Sequence, residues 1–217
     1  MQPWSYSHLD KFETCAKQFY HVRVARDVVE PPTVHTSWGH EVHSALEERI
    51  INGTHLPESM ERWEHLAAQV EDLPGTKQAE IKMAITADFQ PTDWDSEFAW
   101  SRGVIDLLVL TPTKAAVIDW KTGKFKPSEQ IELYVAYTFA HYPQVEEVSG
   151  TFVWLKDRKL SISNYKRKTV PDIWQSILPR VARLEAAYKN DIWPAKPSGL
   201  CNGWCPVKSC QYWKEKR

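Results

Sequence analysis

Two aspartates and a lysine occupy neighbouring apolar runs in the middle of the chain. Asp106 lies within the run 104–110, and Asp119 ends the run 115–120 with Lys121 directly after it. Both runs are rich in β-branched and apolar residues, and a four-residue turn separates them, which predicts a β-hairpin. Because side chains alternate along a strand, Asp119 and Lys121 share one face. We therefore expect two carboxylates and one ammonium group at one end of a sheet.

Carboxylate oxygens are the ligands that Mg²⁺ and Mn²⁺ prefer. A bound ion polarises a phosphoryl oxygen and generates a nucleophile from water near neutral pH. The ammonium group of Lys121 would stabilise the negative charge that builds up on a phosphate during attack. The expected chemistry is phosphodiester hydrolysis. Since Asp-x-Lys is a very short motif, a surface ion pair at the end of a hairpin is the competing interpretation.

Length and composition favour a single globular domain with a substantial core. The chain has 217 residues, of which 42% are hydrophobic, and its formal net charge is −1. With 27 basic and 28 acidic residues, the overall charge does not indicate nucleic-acid binding, so any basic surface must be local. Local clusters occur at 121–126, 156–159, 166–168 and 214–217. Eleven tryptophans mostly predict core packing, and some could stack on bases.

The chain has no apolar signal region at its start and no apolar window long enough to span a bilayer. We expect a soluble, cytoplasmic protein without a membrane partner. In a reducing compartment, cysteines bind metals more readily than they form disulfides. This applies to Cys15, Cys201, Cys205 and Cys210.

The first 55 residues predict two helices. Ser7 and Asp10 resemble a capping box, and apolar residues recur at helical spacing as far as Tyr20, with Cys15 on the apolar side. A second helix is predicted over 38–51, ending at Asn52-Gly53. In that helix His43 and Glu47 share a face, and on local evidence His43 is a half-exposed residue paired with Glu47.

The remaining pattern alternates between strands and helices. Glu80 and Lys82 share one face of a strand predicted over 79–87, and Gln130 and Tyr134 share one face of a largely apolar helix. The further elements are predicted as a helix over 58–72, the apolar helix over 127–141, strands over 148–155 and 161–165, and a long amphipathic helix over 172–189. One mixed sheet flanked by helices, of the α/β class, accommodates this order.

The chain resembles the PD-(D/E)xK nuclease superfamily, in particular its RecB-like branch, which includes iron–sulfur exonucleases of CRISPR spacer acquisition and of phages. The matching motifs follow the family order: Ser5–Leu9 with Cys15–Tyr20, Gly39–His43, Gly103–Asp106, Asp119-Trp120-Lys121, and Gln130 with Tyr134. The resemblance covers nearly the whole chain. It implies a restriction-endonuclease-like mixed sheet with a Cys-rich carboxyl-terminal segment tied to the first helix.

The same resemblance implies one nuclease domain over 1–217. Its parts would be a helical segment over 1–75, a catalytic sheet and helix over 78–156, and a closing helix with the cysteine cluster over 170–217.

Roles for individual residues also follow from the resemblance. His43, Asp106, Asp119 and the main-chain carbonyl of Trp120 would bind Mg²⁺ or Mn²⁺, and Lys121 would position or activate the attacking water. Gln130 and Tyr134 would contact the substrate strand, and Glu80 would be an accessory acid. The implied protein is a metal-dependent DNA exonuclease acting on DNA that is single-stranded or has free ends. The alternatives are a nuclease-like module that binds DNA ends, or a structure-specific endonuclease with a structural zinc.

The cysteines sharpen this interpretation. Cys201, Cys205 and Cys210 form a Cys-x3-Cys-x4-Cys motif. In the resembling branch, three such cysteines and one from the first helix, here Cys15, ligate a 4Fe-4S cluster. Four cysteine ligands suit a 4Fe-4S cluster or Zn²⁺, and their spacing leaves both open.

Overall fold

A computed structural model describes residues 2–216 of the chain. The α-helices are α1 (Tyr6–Thr14), α2 (Ala16–Phe19), α3 (Val34–Asn52), α4 (Glu64–Glu71), α5 (Gln130–His141) and α6 (Val170–Asn190). The strands are β1 (Thr76–Ile85), β2 (Pro91–Thr92), β3 (Ser101–Leu110), β4 (Lys114–Lys121), β5 (Glu147–Trp154) and β6 (Lys159–Lys166). A π-helical turn covers Tyr20–Val24, and 3₁₀ turns cover Glu58–Trp63, Arg167–Thr169 and Gly199–Cys201.

The chain divides into two compact units. We call Val34–Gln175 the sheet unit, and Met1–Thr33 together with Ser176–Arg217 the terminal unit. No helix among the described residues is long and apolar enough to cross a membrane.

All six strands of the sheet unit form one sheet, in the order β2-β1-β3-β4-β5-β6. Only β4 and β5 are parallel, and the remaining neighbours are antiparallel. A parallel pair needs a crossover connection, and α5 supplies it. The expected mixed α/β sheet flanked by helices is therefore confirmed.

Helices cover both faces of this sheet. On one face, α3, α4 and the preceding 3₁₀ turn pack their apolar side chains on Leu107, Ile118, Trp120 and Val153. The opposite face carries α5. This helix packs so closely on β5 that a Cβ atom built on Gly150 would lie 2.8 Å from Ile131. Since β4 and β5 are nearly fully buried on both faces, they read in sequence as continuous apolar runs.

The first helix differs from the sequence-based prediction. Its N-cap is Ser5, whose side chain accepts a hydrogen bond from the His8 amide, so the capping box assigned to Ser7 and Asp10 is wrong. The helix also does not continue to Tyr20, because Cys15 is extended, with φ −164°, and separates α1 from α2. Apolar spacing alone cannot reveal this break.

Other boundaries agree more closely with the prediction. The helix predicted over 38–51 extends to Val34–Asn52, and Gly53 follows it with φ +71°, the left-handed conformation of a helix C-cap. The helix predicted over 58–72 begins instead as the 3₁₀ turn Glu58–Trp63.

Gly75 has φ +131° and approaches the backbone of Leu110 so closely that a Cβ atom would lie 2.5 Å from its carbonyl oxygen.

Candidate active site

The β3–β4 hairpin brings Asp106 next to the end of β4. Regular pairing between β3 and β4 ends at Leu107 and Ile118. The backbone amide of Trp120 therefore makes no ladder hydrogen bond to β3. That amide donates instead to Oδ2 of Asp106, at 2.8 Å. The carboxylate of Asp106 is thus fixed at the point where the two strands separate.

The backbone is distorted where β1 passes Asp106. Pairing of β1 with β3 is interrupted between Ala79–Leu107 and Ile81–Ile105, and Glu80 has φ +49°. Left-handed backbone is unfavourable for a non-glycine residue and occurs often at functional sites. The distortion places an exposed carboxylate, that of Glu80, beside Asp106.

The two ends of β3 also face different layers. Leu107 packs with the α3 and α4 side chains, whereas a Cβ atom on Gly103 would lie 2.8 Å from ring atoms of Tyr134 and Tyr137 on α5. A regular strand would place residues 103 and 107 on the same face. The irregularity around Asp106 therefore lets helices from both faces of the sheet contribute to one site.

From one face, α3 contributes His43. Its Nε2 atom lies 3.0 Å from the carbonyl oxygen of Trp120, and its Nδ1 atom lies 3.4 Å from Oδ2 of Asp106. The pairing of His43 with Glu47, inferred from local sequence, is therefore wrong. A pattern within one helix cannot show that a strand 77 residues away along the chain offers better partners.

Three side chains can hold a cation together. Ligand atoms of His43, Glu80 and Asp106 all lie within 4.8 Å of one another. If Nε2 of a neutral His43 donates to the carbonyl oxygen of Trp120, Nδ1 keeps its lone pair. That lone pair then faces Oδ2 of Asp106. Two electron-pair donors this close need a proton or a cation between them, and imidazole with carboxylates suits a divalent ion. The residues present therefore fit a metal ion.

Burial and negative charge raise the pKa of two acids at this site, Asp119 and Glu80. Burial first, and then the negative charge of Asp106, raise the pKa of Asp119 to about 7 against the opposing charge of Lys121. The same two causes raise the pKa of Glu80. Burial lowers the pKa of His43, but its hydrogen bond to Asp106 and the surrounding negative charges outweigh burial and raise it. A concentration of negative charge in a partly buried site favours a cation.

From the other face, α5 contributes Gln130 and Tyr134. Lys121 Nζ lies 2.6 Å from Oδ2 of the buried Asp119 and donates to Oε1 of Gln130 at 2.7 Å. Gln130 Nε2 in turn donates to the Tyr134 hydroxyl at 2.7 Å. These contacts form a continuous chain from Asp119 to Tyr134, and the side chain of Lys121 remains 26% exposed. The structure thus brings together all eight residues that the sequence placed at this site.

The four cysteines come together in the terminal unit. Cys15, Cys201, Cys205 and Cys210 all line one small pocket. Their thiols are close enough for the other three to contribute to the raised pKa of Cys205, after burial as the main cause. The backbone amide of Lys196 donates to Sγ of Cys15 at 3.4 Å.

Sequence patterns carry little information on Glu80 and Trp120. The position of the Glu80 carboxylate depends on a left-handed residue inside a strand, which no propensity predicts. The carbonyl and amide of Trp120 act through the main chain, so the identity of the side chain carries no signal for them.

The sequence and the fold are both similar to those of known proteins. The family model of the PD-(D/E)XK nuclease superfamily matches residues 3–210. No curated protein matches the sequence. Among solved structures, the chain is similar to a crystal structure of a "putative exonuclease" from Eubacterium rectale, with 12% identity and a TM-score of 0.55. That similarity covers 97% of this chain and 86% of the other, and it shows the fold.

The chain belongs to the PD-(D/E)XK nuclease superfamily. Members of this superfamily use divalent metals and act on nucleic acids, and the cluster of His43, Glu80 and Asp106 is a possible metal site of this kind.

Proposed function

We propose that the protein is a Mg²⁺- or Mn²⁺-dependent deoxyribonuclease that removes nucleotides from DNA ends, and that it carries a 4Fe-4S cluster. The observation that carries the proposal is the convergence of His43, Asp106 and Asp119 with the Lys121–Gln130–Tyr134 chain. A module that only holds DNA ends has no need of a polarised carboxylate–lysine pair beside a metal site.

The residues that would hold the ion are His43, Asp106, Asp119 and the carbonyl of Trp120. The closeness of Glu80 to His43 and Asp106 supports a ligand role for this fifth residue as well. The ion, when bound, polarises a phosphoryl oxygen and lowers the pKa of a bound water.

Lys121 acts on the phosphate. Asp119 and Gln130 hold its ammonium group from two sides, so little reorganisation is needed when negative charge develops on the phosphate oxygens. Gln130 and Tyr134 extend the same polar surface and would contact the strand beside the scissile bond. The hydroxyl of Tyr134 remains a neutral donor, since burial and the charge of Asp119 raise its pKa.

The first test is cleavage of DNA by the Lys121→Ala variant. Removing a preorganised transition-state donor costs about 10²–10³-fold in rate, so cleavage should fall by at least that factor. The matched control is Lys114→Ala at the opposite end of β4, where an exposed lysine pairs with Glu147. The control should cut at the parental rate, and parental activity in Lys121→Ala would refute the mechanism.

The second test concerns ends. End-labelled linear DNA and covalently closed circular DNA, each single- and double-stranded, are incubated with Mg²⁺ or Mn²⁺. An exonuclease releases label from linear DNA and leaves circles intact. Cleavage of circles would assign an endonuclease instead, and absence of cleavage on every substrate would favour an end-binding module.

The resemblance to iron–sulfur exonucleases is what favours a cluster over zinc. The four cysteines line one pocket, and a set of four cysteine ligands suits either group. Visible absorption of anaerobically purified protein, with iron and zinc analysis, decides between the two.

A further inference from the structure

The terminal unit contains a cavity that the proposed function does not use. Its volume is about 420 Å³, within the range of small-ligand pockets. Arg23, Arg26, His8, Phe19 and Tyr188 all line it. No residue of the candidate active site or of the cysteine group contributes to its lining.

An unusual backbone builds one wall of the cavity. Tyr20–Val24 is a π-helical turn, in which the amide of Ala25 donates to the carbonyl of Tyr20 at 2.8 Å. Arg26 follows with φ +56°. Such turns are rare, and left-handed residues other than glycine are strained, so both features are concentrated at functional sites. Together they direct Arg23 and Arg26 into the same cavity.

Within residues 2–216, no carboxylate forms an ion pair with either of these arginines. In the described structure the guanidinium of Arg23 has no ion pair or hydrogen bond, and that of Arg26 donates to the neutral amide oxygen of Gln2, at 2.9 Å. Glu30 also lines the cavity, and its carboxylate pairs with Lys11. Guanidinium groups with free donors match the oxygens of a phosphate.

Three aromatic side chains line the same cavity: His8, Phe19 and Tyr188. The ring of Phe19 lies edge-on to those of His8 and Tyr188, at centroid distances of 5.9 and 6.4 Å. Burial first, and then the charges of Arg23 and Lys11, lower the pKa of His8, so its imidazole is neutral near pH 7. A cavity lined by neutral aromatic side chains and by two cations fits a ligand with one planar ring and one anionic group.

We propose that this cavity binds one nucleoside monophosphate unit, with the phosphate at Arg23 and Arg26 and the base against the His8–Phe19–Tyr188 surface. The unit can be a free nucleotide or the terminal nucleotide of a DNA strand. This proposal does not depend on catalysis, because binding at the cavity requires neither the metal site nor Lys121.

Isothermal titration calorimetry of the full chain in metal-chelating buffer tests the proposal. The probes are deoxyadenosine 5′-monophosphate, deoxyadenosine, inorganic phosphate and a 5′-phosphorylated oligonucleotide. We expect one saturable site for the monophosphate and at least tenfold weaker binding of deoxyadenosine and of phosphate alone. Binding of the oligonucleotide, or its absence, identifies the source of the unit.

Two variants separate a specific site from general charge. Arg23→Gln with Arg26→Gln should weaken binding of the monophosphate at least tenfold. The control is Arg158→Gln, an exposed arginine that also has positive φ, at +50°, and its affinity should be parental. Circular dichroism melting verifies that the double variant is folded. A folded double variant that binds like the parent, or a parent that binds no probe, overturns the proposal, while DNA cleavage could still proceed.

Discussion

Glu80 has a left-handed backbone conformation within a β-strand. It is an exposed strand residue with φ +49°, next to Asp106 and His43. A left-handed conformation costs a non-glycine residue about 1–2 kcal/mol. The strain is therefore tolerated at a position where the carboxylate is useful.

Replacing Glu80 with glycine should separate the two effects. Relief of strain offsets the entropic cost of glycine of about 0.5–1 kcal/mol, so Glu80→Gly should be as stable as the parent or slightly more stable. Metal affinity should fall, because one carboxylate is lost. Urea denaturation and Mn²⁺ titration measure the two quantities.

Lys82→Gly is the matched control on the same strand, since Lys82 is exposed and is not among the residues with positive φ. It should lose about 0.5–1 kcal/mol and retain metal affinity. If both variants lose the same stability, the backbone at Glu80 is not strained.

Glu13 gives a pH-dependent contribution to stability. Its carboxylate accepts hydrogen bonds from Arg180 at 2.7 and 3.0 Å and from Arg183 at 2.8 Å. Burial raises the pKa of Glu13, but the two arginines more than offset burial and lower it. A lowered folded-state pKa adds stability above the unfolded value, about 4.3, and this stability is lost as pH falls through the folded value.

The Glu13→Gln variant should therefore be less stable than the parent at pH 7, and the difference should shrink below about pH 4. Urea midpoints at several pH values measure this. Glu97→Gln, at an exposed residue without an ion pair in the described structure, should show no such trend. A difference for Glu13→Gln that stays constant with pH would contradict the ion-pair explanation.

At the scale of elements, glycines in β3 and α3 mark two different packing situations. A Cβ atom at Gly103 would lie 2.8 Å from both Tyr134 and Tyr137, and Tyr137 is fully buried with its hydroxyl bonded to Ser101. A Cβ atom at Gly39 would meet only Thr122, at 3.8 Å. The first position has no space, and the second accepts a methyl group.

Gly103→Ala should destabilise the protein by about 1–3 kcal/mol through overpacking, and it should slow cleavage because Tyr134 must move away from Gln130. Gly39→Ala should instead raise stability by about 1 kcal/mol, since alanine is the better helix former. Thermal denaturation and the DNA assay provide both readouts. Equal effects of the two substitutions would show that α5 does not pack tightly on β3.

At the scale of the whole molecule, the cysteine group connects distant parts of the chain within the terminal unit. Cys15 lies between α1 and α2, and the other three cysteines lie within residues 201–210. A cluster that binds only to the folded chain would add its binding free energy to the stability of the fold. The structural contribution of the proposed cluster should therefore be confined to this unit.

Cys15→Ser should accelerate amide hydrogen exchange at least about tenfold in α2 and in residues 196–214, with α5 and β3 unchanged. Removing the cysteine-bound metal from the parent protein should accelerate hydrogen exchange in the same segments. The same treatment should not change hydrogen exchange in Cys15→Ser. Unchanged exchange after metal removal would show that the group does not stabilise the unit.

The sequence by itself determined the local elements and the types and order of the residues at the candidate site. Alternation and apolar runs predicted the β3–β4 hairpin, α5 and the mixed sheet, because burial imposes a period that a single segment records. The order of Asp106, Asp119-Trp120-Lys121, Gln130 and Tyr134 indicated the superfamily before any distance was known.

Only the tertiary structure decided the partners and the distortions. The contact of His43 with Asp106, the φ of Glu80 and the break at Cys15 depend on groups far apart along the chain. A local pattern reports which face of an element is buried, but it carries no information on which distant polar group will compete for a hydrogen bond. That competition sets the geometry of the candidate active site.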